Sequence, residues 1–358
     1  MQFEVVQSLC FFSIYVLIQK TNGGIMKKIK NLLLSVAFLT GVTFASTSAN
    51  AACGKVTIAE MNWASAQVIA HVDNIILSKG YDCNSELIPG DTMPTATSLV
   101  EKGEPSIAPE LWSQNIKNIL DPAEKEGKIK NVGKVFENGG EEGLWIPTYM
   151  VKKNPKLKTI EGVLQHPELF PHPEDSSKAA FYGCPAGWNC QITTTQMHKA
   201  FGMEKAGFAF IDPGSGGALS GSMGEAYNKE AGWFGYYWGP PAILGKYDMT
   251  KLDEGVKHKN DTRISEINDL NVASPGKNKY PASTVETYVG SDMLKNKVVM
   301  KYLEKRSFNN AMLSKILAWK ESNQAEANET AEHFLKTEEK TWKKWVSGGA
   351  AKKIKAAL

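Results

Sequence analysis

The chain has 358 residues, 42% of them hydrophobic and 9% aromatic, which is enough apolar material for one large or two medium domains. This composition excludes an intrinsically disordered protein. The formal net charge of +3 comes from residues 1–51, which contain four of the 41 basic residues but only one of the 38 acidic ones. The remainder is electrically balanced, so charge gives no reason to expect binding to nucleic acid or to an acidic membrane surface.

The N-terminal segment has the three parts of a secretory signal peptide. Three lysines precede an apolar stretch over Leu32–Phe44, and small residues follow, ending at Ala49-Asn50-Ala51. Met26 stands directly before the lysines. We therefore predict a signal peptide over residues 26–51 and interpret residues 1–25 as an artefact of an upstream start site. The apolar stretch is too short and too interrupted for a membrane anchor, so we expect an exported, periplasmic protein.

Four cysteines remain after the leader, an even number for an oxidising compartment in which disulfides form. They allow three pairings. We predict Cys53–Cys83 and Cys184–Cys190, because the second pair closes a short loop that contains a proline and a glycine. The spacing within that loop is unlike that of a redox-active pair or a zinc site. We expect structural disulfides and neither a metal nor a cofactor.

Beyond the leader, strand-like runs alternate with segments of helical periodicity. In the first block we predict strands over residues 55–61, 87–88, 106–109 and 143–151. The helices predicted between them cover residues 64–78 and 113–120, and a third begins near Pro94. The pair Asp121-Pro122 should end the helix over 113–120, because proline lacks the N–H that a helix interior needs.

A second block repeats the alternation. Its predicted strands cover residues 179–182, 207–211 and 232–238, and its predicted helices cover residues 193–201 and 216–230. An extended segment over 281–289 should return the chain to the first block, and helices over 294–306, 309–321 and 325–346 follow it. This alternation predicts an α/β fold with two lobes, one of residues 52–149 plus 285–358 and the other of residues 150–284.

The arrangements of residues that enzymes use are missing from the sequence. The six histidines are scattered, and no pair of them has the spacing of metal ligands on a helix. The glycine-rich turn Asp212–Gly217 lacks the lysine of a phosphate-binding loop and the spacing of a dinucleotide fingerprint. No nucleophile elbow is evident. We therefore predict that the protein is not an enzyme.

Tryptophans outside the predicted C-terminal helices are the most informative residues. Trp63, Trp112, Trp188 and Trp238 end strands or lie in turns, two in each lobe, and ligands of open α/β sheets bind beyond the carboxyl ends of the strands. Each of them alone would more often be a packing residue. Together they could enclose a cation, which each indole face attracts by about 0.5–2 kcal/mol. Trp145, near the crossover between the lobes, is a further candidate.

The segment Gly183–Cys190, with the sequence GCPAGWNC, resembles the disulfide loop of the glycine betaine-binding proteins of ABC importers. The segments Ala108–Trp112 and Tyr236–Pro240 fit the same family, and the similarity extends over most of residues 55–340. The resemblance implies a two-lobed periplasmic binding protein of type II, which closes on its ligand by a hinge.

The resemblance also assigns roles to individual residues. In that family three tryptophans, one in each of these segments, box the trimethylammonium group of the ligand, and they correspond to Trp112, Trp188 and Trp238. Two backbone N–H groups after the loop tryptophan hold the ligand's carboxylate in that family. In this sequence they belong to Asn189 and Cys190.

The sequence departs from the family pattern after the first of these tryptophans. A histidine that would meet the carboxylate is absent, and Asn115 and Ile116 occupy its turn. Glu142, next to Glu141 and close to Trp145, brings an acid near the crossover. These departures favour a smaller head group such as that of trimethylamine N-oxide, whose protonated form could donate to Glu142. Choline, with its hydroxyl, would fit equally well, and the alternative interpretation of both glutamates is solvated loop charge.

The sequence thus predicts the solute-binding component of an ABC importer, which captures a small methylated onium compound and delivers it to an inner-membrane permease. Trimethylamine N-oxide and glycine betaine are the leading ligands, followed by choline and dimethylsulfoniopropionate. We expect a monomer. The rival hypotheses are an enzyme that uses the same cleft and a sensor subunit that docks on a receptor. A carbohydrate-binding protein is disfavoured, because sugars stack on one or two rings and need many polar side chains.

Overall fold

Two β-sheets form the framework of the protein. The computed structural model describes residues 53–240 and 243–358, so the predicted signal peptide (26–51) and the upstream segment (1–25) lie outside the described residues. The strands of the first sheet are β1 (Lys55–Met61), β2 (Asn84–Gly90), β3 (Ile107–Leu111), β4 (Ile129–Lys134) and β11 (Glu286–Gly290). Their order in the sheet is β2-β1-β3-β11-β4.

The centre of the first sheet is parallel. β1 runs parallel to both β2 and β3, and Ile58 pairs with Leu87 on one side and with Ile107 on the other. β11 lies antiparallel between β3 and β4. Because β1 and β3 point the same way, the residues that follow them, Trp63 and Trp112, emerge at one edge of the sheet.

The second sheet is built from the middle of the chain. Its strands are β5 (Gly140–Pro147), β6 (Ala179–Tyr182), β7 (Phe208–Ile211), β8 (Gly235–Gly239), β9 (Met249–Lys251) and β10 (Ala282–Ser283). Their order is β10-β5-β8-β6-β7, and β9 pairs with β5. β6 is parallel to β7 and β8, whereas β5 is antiparallel to its partners.

The chain passes between the sheets twice, once between β4 and β5 and once between β10 and β11. The first sheet with the helices packed on it is named the first lobe, and the second sheet with its helices the second lobe. The predicted lobe boundaries at 149/150 and 284/285 stay a prediction. The first predicted boundary does not coincide with the change of sheet. β5 begins at Gly140, ahead of that boundary, and pairs with β8 of the second sheet.

Helices cover the faces of both sheets. They are α1 (Ala64–Ile75), α2 (Thr92–Lys102), α3 (Lys117–Lys125), α4 (Thr148–Lys153), α5 (Ile160–Leu164), α6 (Asn189–Ala200), α7 (Gly216–Asn228), α8 (Ile243–Lys246), α9 (Asn260–Thr262), α10 (Lys297–Leu303), α11 (Asn310–Asn323), α12 (Ala327–Thr337), α13 (Glu339–Trp342) and α14 (Gly348–Ala357). Within the described residues, no helix has both the length and the apolar character needed to cross a membrane. The α/β class is as predicted.

The C-terminal helices complete the first lobe. α12 packs against α1, and α14 packs against the helical turn Ile76–Gly80 that extends α1. A fully buried ion pair fastens the same region, with Arg306 Nε 3.1 Å from Asp73 Oδ1. The hydroxyl of Tyr302 donates a further hydrogen bond to Asp73. The start of the first lobe is therefore stabilised by the last fifth of the chain.

Two expectations about helix ends are wrong. The helix predicted to stop at Asp121-Pro122 continues to Lys125, with Pro122 inside it. The N–H that proline lacks would have bonded to Asn118, an exposed residue whose carbonyl water can solvate. The single helix predicted over 325–346 is broken after Thr337. The chain turns there because the indole of buried Trp342 folds back to donate to the carbonyl of Leu335, 2.8 Å away.

Both predicted disulfides are confirmed. Cys53–Cys83 joins the residues that precede β1 and β2, with Cα atoms 5.0 Å apart. Cys184–Cys190 joins the end of the segment after β6 to the first turn of α6, with Cα atoms 5.7 Å apart. The second disulfide closes the loop that carries Trp188.

Candidate ligand-binding site: a box of four tryptophans

One small cavity lies between the two lobes at the carboxyl ends of the central strands. About 240 Å³ of space is free of protein atoms there. The residues around it are Trp63, Thr92, Trp112, Trp188, Asn189, Cys190, Tyr236 and Trp238. The structure thus brings together the four tryptophans predicted to converge, and we call them the Trp box.

The rings of the Trp box meet at steep angles, as the walls of a box do. Trp188 stands between Trp63 and Trp238, with ring centroids 5.2 Å from each and interplanar angles of 67° and 85°. Tyr236 lies roughly parallel to Trp238, with centroids 6.2 Å apart. All four indoles are at least nine-tenths buried. The cavity therefore presents aromatic surface from several directions to whatever occupies it.

Two glycines leave room for the indoles. A Cβ on Gly140 would lie 2.4 Å from the Trp112 ring, and a Cβ on Gly216 would lie 2.8 Å from the tip of the Trp188 ring. Neither distance is compatible with a side chain unless the indole moves. β5 and α7 therefore contribute to the box because Gly140 and Gly216 have no side chain, which leaves the space that the indoles occupy.

A buried carboxylate fixes two walls of the box. Glu110, on β3, has no exposed surface. Its Oε1 accepts hydrogen bonds from the indole N–H groups of Trp63 and Trp112, at 2.7 and 3.1 Å, and from the hydroxyl of Ser65 at 3.0 Å. Burial raises the pKa of Glu110 to about 7, against the opposing effect of these donors and of Arg306.

Contacts from the first lobe hold Trp188 on the opposite wall. Its indole N–H donates to the side-chain oxygen of Asn62. Gly187, just before it, has a φ of +87°, and a Cβ there would lie 3.0 Å from the carboxylate of Asp91. Burial raises the pKa of Asp91 as well. The disulfide loop of the second lobe is therefore docked against the first lobe.

The N-terminus of α6 opens into the cavity. The helix begins at Asn189, and the backbone N–H groups of Asn189 and Cys190 donate to none of the described residues. The side-chain amide of Asn189 donates to the carbonyl of Trp112, 3.0 Å away. Free N–H groups and the helix dipole together favour a negatively charged or strongly polar oxygen at this position. The ligand contact predicted for Asn189 and Cys190 stays a prediction.

Glu142 lies behind the cavity wall. Its two oxygens accept hydrogen bonds from the amide of Asn115, from the hydroxyl of Tyr236 (2.9 Å) and from the hydroxyl of Ser283 (2.7 Å). It is almost fully buried and does not line the cavity. In this conformation Glu142 acts on the site through Tyr236, whose ring it positions.

Asn115, in the turn that follows β3, connects the lobes. Its side-chain oxygen accepts from the buried guanidinium of Arg263 at 2.8 Å, and its backbone carbonyl accepts from the amide of Asn268 at 2.9 Å. Its own amide donates to Glu142. Asn115 follows β3 of the first sheet, whereas the other three residues belong to the second lobe. It is an interlobe contact and does not line the cavity.

Trp145 is placed elsewhere. Its indole N–H donates to the carbonyl of Tyr237, 3.2 Å away, across the β5–β8 pair. It does not line the cavity. The role of a ligand contact predicted for Trp145 therefore has no geometric support in this conformation.

Sequence reasoning missed three residues of the site. Thr92 and Tyr236 line the cavity, and Glu110 binds two of its walls. A signal for Glu110 exists, because an acidic residue inside an otherwise apolar strand must be compensated by something. Tyr236 gave a weaker signal, since it stands two residues before Trp238 and therefore shares a face of β8 with it.

A wider space lies at the mouth of the box, next to Trp63 and Trp238. It contains about 970 Å³ outside protein atoms, part of which is open solvent. The N-terminal turn of α7 and the end of α11 face each other across it, with Lys320 and Glu321 on the α11 side. This space adjoins the box, because Trp63 and Trp238 line both.

Comparison with known proteins agrees with this architecture. The family described as the substrate-binding domain of the ABC-type glycine betaine transport system matches residues 54–337. Comparison with curated protein sequences gives no match. Among solved structures, a glycine betaine/L-proline-binding protein (ProX) from Borrelia burgdorferi is 16% identical with a TM-score of 0.66, over 84% of this chain and 99% of its own.

Two further structures have the same fold. A choline-binding protein of an ABC transporter, in complex with choline, is 17% identical with a TM-score of 0.66, over 85% of this chain and 98% of its own. The lactococcal protein OpuAC, closed around glycine betaine, is 16% identical with a TM-score of 0.59, over 82% of this chain and 100% of its own. The predicted two-lobed fold of type II periplasmic binding proteins is confirmed.

The family match covers both sheets and every residue of the Trp box. It also confirms that the chain is not an enzyme, because the family consists of substrate-binding domains. The chain therefore belongs to the family of substrate-binding domains of ABC-type glycine betaine transport systems.

Proposed function

We propose that the protein binds a small methylated onium compound in the Trp box and presents it to the permease of an ABC importer. Trimethylamine N-oxide and glycine betaine are the leading ligands, and choline and dimethylsulfoniopropionate are the alternatives. The single observation that supports this most directly is the meeting of Trp63, Trp112, Trp188 and Trp238 around one cavity. Each indole face attracts a cation by about 0.5–2 kcal/mol, so four supply about 2–8 kcal/mol. A micromolar site needs about 8 kcal/mol.

The polar end of the ligand is assigned to the N-terminus of α6. The N–H groups of Asn189 and Cys190 suit the carboxylate of glycine betaine or the oxygen of trimethylamine N-oxide. Glu142 is saturated by neighbouring donors, and we assign it the positioning of Tyr236.

The lining of the cavity favours a small onium ligand over a sugar. The residues around it are mostly aromatic, and Thr92 and Asn189 are its polar side chains apart from the phenol of Tyr236. A sugar would find too few polar partners there, whereas a trimethylammonium group with one short polar substituent needs only one polar contact beside the aromatic rings.

Calorimetry on ligand-stripped protein with the four candidate ligands tests the proposal. We expect micromolar or tighter binding of at least one, without chemical conversion of it. Trp112→Ala should lower the affinity at least tenfold. The matched control is Trp319→Ala, because Trp319 lies on α11, stacked on His333 and outside the cavity. If none of the four ligands binds, or if the two variants behave alike, the proposed function is wrong.

Export to the periplasm and a monomeric state are part of the same proposal. The family to which the chain belongs serves ABC importers, whose permease lies in the membrane, so the ligand must be captured outside the cytoplasm. N-terminal sequencing of the protein recovered from a periplasmic extract should begin near Ala52, and size-exclusion chromatography should give one chain per particle.

A further inference from the structure

The partners of Glu110 are all neutral. Its carboxylate is fully buried, yet the groups that donate to it are two indole N–H groups and one hydroxyl. Its second oxygen, Oε2, has no hydrogen-bond partner among the described residues. A buried carboxylate without a cation is costly, because neutral donors replace only part of the hydration that it loses.

The nearest basic group is engaged elsewhere. Arg306 forms its fully buried ion pair with Asp73, and one of its terminal nitrogens donates to the carbonyl of Pro109 and to the hydroxyl of Thr287. Arg306 and Asp73 compensate each other's charge. Arg306 therefore does not compensate the charge of Glu110, which lies in the first lobe directly behind the indoles of Trp63 and Trp112.

We propose that Glu110 is the specificity-determining counter-charge of the site, so that the Trp box selects ligands whose head group carries a formal positive charge over molecules of the same shape that lack this charge. The inference rests on the proposed function and adds to it a residue and a selection rule. The indoles of Trp63 and Trp112 are bound at their N–H edges by the carboxylate and face the cavity with their rings. A cation in the box thus lies one ring away from a negative charge in a medium of low polarity.

Substitution of Glu110 by glutamine tests the effect of its charge separately from the effect of its hydrogen bonds to the indoles. Glu110→Gln keeps an oxygen that can accept from both indoles, but it removes the charge. Three pairs of probes share shape and differ by one positive charge: choline and the alcohol in which a tert-butyl group replaces trimethylammonium, glycine betaine and the anion 3,3-dimethylbutanoate, and trimethylamine N-oxide and tert-butanol. Affinities are measured by calorimetry, directly for the onium member and by competition for its isostere. Melting temperature and tryptophan fluorescence report whether the variant folds.

In the wild-type protein, we expect the onium member of at least one pair to bind at least tenfold more tightly than its isostere. Glu110→Gln should lower the affinity for that onium compound at least tenfold, and it should not lower the affinity for the isostere. An equal loss for both members would show that Glu110 only holds the rings, and it would overturn the inference. So would an unchanged onium affinity in a folded variant. In both cases onium binding by the wild-type protein would leave the proposed function standing.

Proton linkage gives a second readout. Because burial raises the pKa of Glu110 to about 7, a cation that binds to its ionised form should displace a proton near neutral pH. We expect choline affinity to rise by up to about tenfold between pH 6 and pH 8 in the wild-type protein and to stay flat in Glu110→Gln.

The other charged groups around the site are present in both proteins. Arg306, in the segment after α10, acts on Glu110 and is paired with Asp73 of α1, and Asp91 lies beyond Trp188 on the opposite wall. Glu142 and Arg263 lie behind Tyr236. A pH dependence that persists in Glu110→Gln would therefore belong to one of these groups and would overturn the assignment to Glu110.

Discussion

At the scale of single residues, the space inside the Trp box depends on a glycine, which has no side chain, as much as on the indoles. The ring of Trp188 is enclosed by Trp63 and Trp238, so it has little freedom to move aside. Its tip points at Gly216, the first residue of α7, where a Cβ would lie 2.8 Å away. The next glycine, Gly217, has only Ser215 within 4 Å of its hypothetical Cβ, at 3.9 Å.

The neighbouring glycines give a matched pair of variants. Gly216→Ala should displace Trp188 and lower the affinity for the onium ligand at least tenfold, whereas Gly217→Ala should change it less than twofold. Both glycines lie in the first turn of α7, so the two substitutions should affect the helix itself to a similar extent. Titration calorimetry on the two variants checks this expectation. Equal affinities would mean that Trp188 adjusts freely and that its orientation is unimportant for binding.

Glu110 should also affect stability as a function of pH. Its pKa is about 7 in the folded protein and near 4.5 when unfolded, so between these values the native state holds more protons than the unfolded state. The free energy of unfolding should therefore fall as the pH rises from about 4.5 to 7, by about 3 kcal/mol from this group alone. Below that window the stabilisation is fully present.

Urea unfolding of the ligand-free wild type and of Glu110→Gln at pH 5 and pH 8 measures this contribution. The wild type should lose more stability than the variant between the two pH values, because glutamine does not titrate. Parallel pH dependences in the two proteins would contradict the raised pKa.

The sequence indicated the tryptophans of the site but not the groups that support them. Trp63 and Trp112 follow apolar strands that the alternation of elements predicts, and parallel strands bring such positions to one edge. Glu110 and Tyr236 acquire their roles from hydrogen-bond partners that lie far from them in the sequence. The indole of Trp63 and the carboxylate of Glu142 become their neighbours only after the sheets have formed.

At the scale of elements, the turn after β3 carries more interlobe contacts than its length suggests. Within the 3₁₀ turn Ser113–Asn115, the side chain of Asn115 both donates to Glu142 and accepts from Arg263. Hydrogen bonds to charged groups contribute about 1.5–3 kcal/mol each when they are buried. The turn therefore helps to hold the two lobes in the closed arrangement.

Removing this side chain should weaken closure without touching the cavity. Asn115→Ala should lower ligand affinity about tenfold and reduce the free energy of unfolding by about 2–3 kcal/mol, because Glu142 and Arg263 lose a buried partner. Asn118→Ala, at an exposed position on α3, is the control and should change neither quantity by more than about 0.5 kcal/mol. Calorimetry and chemical unfolding measure both effects, and an unchanged affinity in Asn115→Ala would exclude a role in closure.

Elements were predictable where local pattern decides them. β1, β6 and α7 were expected within two residues of their ends, because their apolar periodicity is clear. β4 was missed because half of its sequence, IKNVGK, is polar, and β9 was missed because it has only three residues. Both are strands through pairing with distant segments, β4 with β11 and β9 with β5, which no local pattern reveals.

At the scale of the whole molecule, the described conformation is a closed one. Hydrogen bonds connect the lobes beside the cavity: Met93 N–H donates to the carbonyl of Gly187 at 3.2 Å, and the amide of Asn189 donates to the carbonyl of Trp112 at 3.0 Å. The lobes are joined by the two crossovers between the sheets, and hinges of this kind permit rotation about the connecting segments.

Closure should be visible in solution. The radius of gyration from small-angle X-ray scattering should be larger for the ligand-stripped protein than for the protein saturated with its onium ligand, because the ligand adds contacts only in the closed state. Trp112→Ala is the control and should become compact only at a higher ligand concentration, in proportion to its weaker binding. Identical scattering with and without ligand would argue against a hinge.

The discontinuity of the first sheet also affects the order in which the protein acquires its structure. β1, β2 and β3 come early in the chain, but β11, α12 and the Asp73–Arg306 pair require the last quarter of it. The second sheet, by contrast, is formed by one continuous stretch, from Gly140 to Ser283. A chain that emerges from its N-terminus can therefore finish the second lobe first, while the first lobe stays incomplete. Under the proposed export, the first lobe can therefore be completed only after the C-terminal helices have crossed the membrane.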